Sequence, residues 1–221
     1  MLSPIEIGSS REEAEVCVLL LHGLGASGHD FADVAQILSQ AAAPRKWRFV
    51  LPHAPMQPVT LSGGMRMRAW YDIIDLSHPR NVNWDTVAES HETVVTLIAE
   101  EPATNIVLAG FSQGAAMALH AGLRSDADRN RIVGILMMSG YLLESEAHPC
   151  PTKTSDDFPI GLFHGTADPV VPFEAAERTV EALTEAGYAP TLTAYPSMEH
   201  SVWDEEIRDV FEWLTTVDER A

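Results

Sequence analysis

The chain has 221 residues and carries 14 Lys and Arg residues against 32 Asp and Glu residues, a formal net charge of −18 at pH 7. Such a field repels phosphate backbones and anionic lipid surfaces, which argues against nucleic-acid binding and a polybasic membrane anchor. Hydrophobic residues make up 46% of the chain and charged residues 21%, which is typical of a globular protein. We expect a single domain over residues 1–221, because α/β folds of this length often form one unit.

The N-terminal residues and the cysteines predict a cellular compartment. Residues 1–16 contain no apolar stretch long enough for a signal peptide, and no apolar run of about 18 residues follows. Cys17 and Cys150 allow at most one internal disulfide, and their setting does not resemble a zinc site. We therefore expect a cytoplasmic protein with reduced thiols and no bound metal.

Apolar runs alternate with segments of helical periodicity along the whole chain. The predicted strands are EVCVLLL (15–21), WRFVLP (47–52), NIVLAG (105–110), IVGILMMS (132–139), IGLFHG (160–165) and TLTAYP (191–196). The predicted helices are DFADVAQILSQ (30–40), WDTVAESHETVVTLIAEE (84–101), AAMALHAGL (115–123), FEAAERTVEALTEAG (173–187) and DEEIRDVFEWLTT (204–216). Continuous apolar strands are buried on both faces, so the order predicts a doubly wound, mostly parallel α/β sheet with helices on both sides.

Two segments interrupt this alternation. Residues 52–82 are predicted to form a long loop, and loops of that length in compact domains are usually functional or mobile. Within it, the pair Gly63 and Gly64 lowers the cost of backbone movement, so residues 61–70 are expected to open and close over a site. Residues 141–158 form a shorter predicted loop, too short for a large helical lid.

GFSQG, residues 110–114, places Ser112 between a predicted strand and a predicted helix. This is the context in which a G-x-S-x-G turn displays a nucleophile, although the short pattern alone equally fits a serine in an ordinary loop. A serine hydroxyl needs a base to remove its proton. In this strand-turn-helix type of site, the acid and then the histidine follow the serine along the chain.

That order selects Asp168 as the acid and His200 as the base. Asp168 follows the strand IGLFHG, and His200 is the only histidine beyond it in the sequence. Both lie at the carboxyl end of a predicted strand, on the sheet edge where Ser112 is expected. Taken singly, Asp168 also fits a turn residue and His200 a solvated loop residue. The rival acids, which precede the strand, are Glu144, Asp156 and Asp157.

The tetrahedral intermediate of acyl transfer needs N–H donors for its negative oxygen. The stretch LLLHGLGASG, residues 19–28, ends a strand in a tight glycine turn, which indicates the backbone N–H of Leu24 as one donor. The second is the backbone N–H of Gln113, the residue after the nucleophile. His22 is interpreted as structural, bonding within the loop.

The chain resembles the α/β-hydrolase family that joins bacterial carboxylesterases to acyl-protein thioesterases, the phospholipase/carboxylesterase family. The motifs that carry the resemblance are LHGLGASGHDF, PHAPMQPVTLSGGMRMRAWYDI, GFSQGAA, HGTADPVVPF and MEHSV. The resemblance implies Ser112, Asp168 and His200 as a catalytic triad with Leu24 and Gln113 as oxyanion donors. It also implies hydrolysis of a small-molecule ester or thioester without metal or cofactor, and a homodimer.

The acyl site is the part in which this sequence departs from the family. Trp70 and Val170 match family positions that flank the acyl group, and core packing is an equally good interpretation of both. Arg66 and Arg68 alternate with methionines before Trp70, where long-chain thioesterases carry small or apolar residues. If Met67 and Trp70 contact the acyl group, an unpaired guanidinium beyond them would limit binding to short and medium chains.

We therefore expect a serine carboxylesterase for short to medium acyl esters. One alternative is a thioesterase for acylated proteins or a lysophospholipase. Another is a catalytically inactive binding module of the same fold.

Overall fold

A seven-stranded sheet forms the centre of the molecule, as the computed structural model shows over its described residues 2–77, 80–125, 129–153 and 159–221. The strands are β1 Ile5–Gly8, β2 Val16–Leu21, β3 Trp47–Leu51, β4 Met56–Val59, β5 Met65–Arg68, β6 Ile73–Asp75, β7 Asn81–Val82, β8 Asn105–Phe111, β9 Ile132–Met138, β10 Ile160–Gly165 and β11 Thr191–Tyr195. The sheet order is β1-β3-β2-β8-β9-β10-β11, and only the β1–β3 pair is antiparallel. The predicted, mostly parallel sheet is confirmed.

Helices cover both faces of this sheet. They are α1 Ala32–Ala42, α2 Trp84–Glu100, α3 Gln113–Arg124, α4 Phe173–Glu185 and α5 Asp204–Asp218. Residues of α1 and α5 pack in one apolar cluster, and residues of α2, α3 and α4 pack in a second. Among the described helices, none combines the length and the apolar composition of a membrane span.

β2 shows why a continuous apolar run becomes a central strand. Val16, Val18 and Leu20 belong to the cluster of α1 and α5, whereas Cys17, Leu19 and Leu21 belong to the cluster of α2, α3 and α4. Successive side chains point to opposite faces of a strand, so a strand covered on both sides must be apolar at every position. Cys17 is buried as a free thiol, and Cys150 is a half-buried free thiol.

The prediction of a long loop over residues 52–82 is wrong in one respect, because two antiparallel hairpins lie within it. β4 pairs with β5, and β6 pairs with β7. Gly63 and Gly64 form the turn between β4 and β5 with φ of 66° and 81°, a conformation that L side chains rarely adopt. The glycine pair therefore builds a tight turn. The rival acids Asp156 and Asp157 and the end of the predicted loop 141–158 lie outside the described residues.

The parallel pairing determines where the predicted site residues meet. β8, β9, β10 and β11 are parallel neighbours, so their carboxyl ends lie along one edge of the sheet. Ser112 follows β8, Asp168 follows β10 and His200 follows β11. The fold thus brings the loops that carry these three residues to a common edge.

Candidate active site

Ser112 lies on a sharp turn between β8 and α3, with φ of 54° and ψ of −118°. For a residue other than glycine this backbone conformation is strained by roughly 1–3 kcal/mol. Its N–H donates to the carbonyl of Met138 at 2.9 Å, which ties the turn to β9. A strained conformation held by neighbouring structure is what a displayed nucleophile requires.

The two glycines of the motif permit this turn by allowing close backbone contact. A Cβ on Gly110 would lie 2.3 Å from the carbonyl carbon of Gly114. A Cβ on Gly114 would lie 2.1 Å from the carbonyl oxygen of Leu21 on β2. No side chain fits at such distances, so the G-x-S-x-G spacing follows from the packing of α3 onto β8 and β2.

Asp168 is a buried carboxylate, and both of its oxygens accept hydrogen bonds. Its side chain is 0% exposed. Oδ1 accepts the backbone N–H groups of Val170 and Val171 at 2.8 and 2.9 Å, and Oδ2 lies 2.6 Å from Nδ1 of His200. Burial alone would raise the pKa of Asp168, but the hydrogen bonds from His200 and from the two backbone N–H groups outweigh it and lower the pKa. The acid is therefore ionised at neutral pH.

This ionised acid determines the tautomer of His200. A carboxylate only accepts hydrogen bonds, so Nδ1 of His200 carries the proton, and in the neutral ring Nε2 keeps a free lone pair. The His200 ring packs against Phe111, with ring centroids 4.8 Å apart. Phe111 immediately precedes Ser112, so this contact places the His200 ring beside the turn that carries Ser112.

His164, the other histidine near the acid, has a different environment. Its Nε2 donates to the carbonyl of Val171 at 2.8 Å and lies 3.5 Å from Oδ2 of Asp168. The ring is buried, and burial lowers the pKa of His164 despite the nearby acid. A buried neutral ring bonded to a backbone carbonyl fits a residue that shapes the loop from 165 to 171 rather than a proton acceptor.

Backbone N–H groups suited to an oxyanion flank Ser112. Gly23 lies close to the serine, since a Cβ there would be 3.6 Å from Ser112 Cβ. Leu24 follows it, and Gln113 is the first residue of α3, where an N–H has no partner within the helix. In the part of the chain that the structure describes, the N–H groups of Leu24 and Gln113 have no acceptor. Their assignment as oxyanion donors stays a prediction.

The Gln113 side chain has a function that the sequence reasoning missed. Its Oε1 accepts the backbone N–H of Trp70 at 2.8 Å, and its Nε2 donates to the carbonyl of Tyr71 at 2.7 Å. It therefore joins the serine turn to the segment after β5. The signal in the sequence is a polar amide within a run of small and apolar residues, which must find partners when buried.

His22 likewise supports the loop that contains Leu24. Its Nδ1 lies 2.7 Å from the carbonyl of Gly23, and its Nε2 accepts the N–H of Ala54 at 3.0 Å. Burial lowers the pKa of His22. The ring acts as a neutral bridge between two backbone segments, as the structural interpretation predicted.

The predicted acyl-site residues do not all reach a surface. Trp70 is fully buried, and its Nε1 donates to the carbonyl of His22 at 2.8 Å, so it supports the loop that contains Leu24. Val170 is 50% exposed next to Asp168. Met67 is half-buried, and its sulfur would lie 3.7 Å from a Cβ on Gly25. Met67 and Val170 thus have exposed surface, whereas Trp70 has none.

The expected unpaired guanidinium over the acyl group is wrong. Nη2 of the exposed Arg66 donates to the carbonyl of Met56 at 2.8 Å, within its own hairpin. Nη1 of the half-buried Arg68 donates to the carbonyl of Ala54 at 2.8 Å. Neither guanidinium is therefore unpaired in the way the sequence reasoning had supposed.

The described ranges contain no group of three His, Cys, Asp or Glu side chains arranged to hold a metal ion. Several groups suited to acyl-transfer chemistry lie at this edge of the sheet. These are a strained serine, a histidine oriented by a buried acid, and two unpaired backbone N–H groups.

Comparison with known proteins agrees with this geometry. The Phospholipase/Carboxylesterase family matches residues 3–218. Acyl-protein thioesterase 1 of Neurospora crassa is 36% identical over 212 residues, 90% of this chain and 85% of that protein. Acyl-protein thioesterase 2 of Zea mays is 25% identical with a TM-score of 0.80, covering 97% of this chain and 98% of that one. Esterase PE8 is also 25% identical, with a TM-score of 0.78 over 97% of this chain and 98% of that one. The chain therefore belongs to the phospholipase/carboxylesterase family of α/β hydrolases, whose members act as esterases and thioesterases.

Proposed function

We propose that this protein is a serine carboxylesterase that cleaves esters of short to medium acyl chains through an acyl-enzyme. The observation that carries the proposal is the 2.6 Å contact between Nδ1 of His200 and Asp168, on the same sheet edge as the strained Ser112. A buried acid that orients a histidine beside a displayed serine supports nucleophilic catalysis.

In the acylation step, the Oγ of Ser112 attacks the ester carbonyl while Nε2 of His200 takes the hydroxyl proton. Asp168 stabilises the resulting imidazolium without itself becoming protonated. The N–H groups of Leu24 and Gln113 donate to the oxyanion, and the positive end of α3 favours the same charge. The imidazolium then protonates the departing alcohol, and the carbonyl forms again as the acyl-enzyme.

In the deacylation step, water takes the place of the alcohol. His200 removes a proton from the water as its oxygen attacks the acyl-enzyme, and the same N–H groups hold the second oxyanion. The proton returns to Ser112 as the acid product leaves. No metal or cofactor is needed for either step.

A thioesterase is the second candidate, because the relative from Neurospora crassa is named as an acyl-protein thioesterase. The same groups cleave a thioester by the same steps, since only the leaving atom changes. Kinetics must therefore separate the two. We propose measuring kcat/KM over p-nitrophenyl esters of rising chain length beside an acyl-CoA and an acyl-peptide thioester of matched acyl groups.

A fluorophosphonate probe on the intact protein separates an enzyme from an inactive binding module. An active hydrolase forms one covalent adduct at Ser112, detected as a mass shift that is absent in Ser112→Ala. Failure of the wild-type protein to form the adduct would support the binding module. Efficient turnover of thioesters with poor turnover of every ester would make the thioesterase the leading function.

A further inference from the structure

A cavity of about 200 Å³ lies between the segment after β9 and the first half of α4. Arg80, Tyr141 and Thr179 contribute to its inner wall, and Glu144 and Arg178 lie nearer to solvent. The mechanism described above uses none of these residues.

Most polar groups of the inner wall already have partners. The Thr179 hydroxyl accepts the N–H of Leu142 at 2.9 Å and donates to the carbonyl of Ala175 at 2.7 Å. The Tyr141 hydroxyl is 2.8 Å from that of Tyr71. These hydrogen bonds belong to the fold and leave no polar function for a ligand.

Arg80 differs, because it is 7% exposed and only partly bonded. Its Nη2 donates to the carbonyl of Val170 at 2.8 Å, and its Cζ lies 5.3 Å from the ring centre of Tyr141. Nε and Nη1 are buried and have no acceptor among the described residues. A guanidinium is always charged, and leaving its donors buried and unpaired is costly. An anion in the cavity would remove that cost.

The carbonyl that Arg80 binds connects the cavity to the catalytic acid. Val170 accepts Arg80 through its carbonyl and donates its N–H to Oδ1 of Asp168. Its side chain is half-exposed at the position expected to flank the acyl group. The cavity and the proposed catalytic site are therefore joined through one residue, Val170.

We propose that this cavity is a subsite for a carboxylate at the far end of the acyl chain, so that half-esters of short dicarboxylic acids are substrates. The proposal rests on the proposed esterase function. A monoanion fits better than a phosphate dianion, because Glu144 lines the same cavity and the chain carries a net charge of −18. Arg178 at the exposed rim adds a second, weaker attraction.

The test compares two esters that differ in one charge: mono-p-nitrophenyl glutarate and its methyl-capped diester. A general loss of activity in a variant lowers kcat/KM for both substrates alike. The ratio of the two values therefore does not respond to it. We expect the wild type to prefer the anionic ester and Arg80→Gln to lower the ratio about 10- to 100-fold, as loss of a charge-assisted hydrogen bond implies. Glu144→Gln should raise the ratio, and Arg178→Gln should lower it slightly.

A second measurement avoids turnover. Calorimetry with glutarate and with inorganic phosphate on Ser112→Ala should show glutarate binding that is lost when Arg80→Gln is added. If neither ester is hydrolysed but glutarate binds through Arg80, the esterase function is wrong and the anion site stands. If Arg80→Gln lowers both rates equally and glutarate does not bind, Arg80 only supports Val170 and the subsite is wrong. Tighter binding of phosphate would overturn the carboxylate assignment.

Discussion

Nδ1 of His200 lies 2.6 Å from Oδ2 of Asp168, across the carboxyl ends of the parallel neighbours β10 and β11. Asp168→Asn tests this relationship, because the amide has only one oxygen. The backbone N–H groups of Val170 and Val171 retain that oxygen, so an amide nitrogen then faces the histidine and favours the wrong tautomer. We expect kcat to fall on the order of 10⁴-fold with an intact fold, as for a triad that loses its acid. Steady-state kinetics and circular dichroism check this.

His200→Gln and His164→Gln form a matched pair of variants beside the same carboxylate. His200→Gln should remove most of the esterase rate. His164→Gln should mainly lower the thermal midpoint, since it removes the bond to the Val171 carbonyl. Loss of activity in His164→Gln with an active His200→Gln protein would show that the base has been assigned to the wrong histidine.

Ser112→Ala should leave only about 10³- to 10⁴-fold catalysis over water. The strained turn adds a second expectation. Ser112→Gly should be more stable than Ser112→Ala by about 1 kcal/mol, because glycine adopts a positive φ without strain. Urea unfolding of the two inactive variants measures this difference. Near-wild-type activity in either variant would redirect attention to Ser139, which has a φ of 50°.

Because of Glu206, we expect the stability of the folded protein to fall as the pH rises. It is fully buried in the first turn of α5, and burial raises its pKa to about 8. The folded protein therefore holds a proton that the unfolded chain releases near pH 4.5, and stability is lost as the pH rises towards 8. Glu206→Gln should raise the free energy of unfolding at pH 8, by on the order of a few kcal/mol, and change it little at pH 4.5.

The exposed neighbour Glu205 provides the control for this measurement. Urea titrations of Glu205→Gln and Glu206→Gln at both pH values separate a buried carboxyl from a general change in charge. Equal effects of the two variants would contradict the assignment to Glu206.

The acyl preference should depend on Met67. Met67→Ala should lower kcat/KM for hexanoyl esters relative to acetyl esters, by up to about 0.8 kcal/mol for each methylene that loses its contact. Met65 lies on the same strand but is 64% exposed, and Arg66 bonds within its own hairpin. Met65→Ala and Arg66→Ala should leave the chain-length profile unchanged. If Arg66→Ala instead shifted the preference towards longer acyl chains, the Arg66 side chain would limit the chain length, as the sequence suggested.

The sequence predicts those parts of the molecule that local patterns determine. Apolar runs predict the central strands because a strand covered on both faces must be apolar at every position. The edge strand β1 was not predicted, because IEIG is short and half-exposed and its pairing depends on β3. The hairpins within 52–82 were missed for a similar reason, since each depends on a cross-strand partner.

The candidate site also has parts that local sequence patterns predict and parts that they do not. The order Ser112, Asp168, His200 is visible in the chain because each follows a recognisable strand. The sequence alone does not show the hydrogen bonds of the Gln113 side chain or the unpaired donors of Arg80. The partners of both side chains lie far away in sequence. Local composition carries no information about which carbonyl a distant side chain will meet.

The hydrogen bonds around β5 limit how a lid could operate. Gly25 donates to the carbonyl of Arg68, and Gln113 holds both Trp70 and Tyr71. Opening residues 61–70 as one flap would break the hydrogen bonds that hold this segment to the loop with Leu24 and to the serine turn, so we expect any movement to be confined to the turn around Gly63. The rate of amide hydrogen exchange should therefore change abruptly along this segment. We expect fast exchange at the turn, and exchange of the Trp70 amide as slow as that of the Ser112 amide.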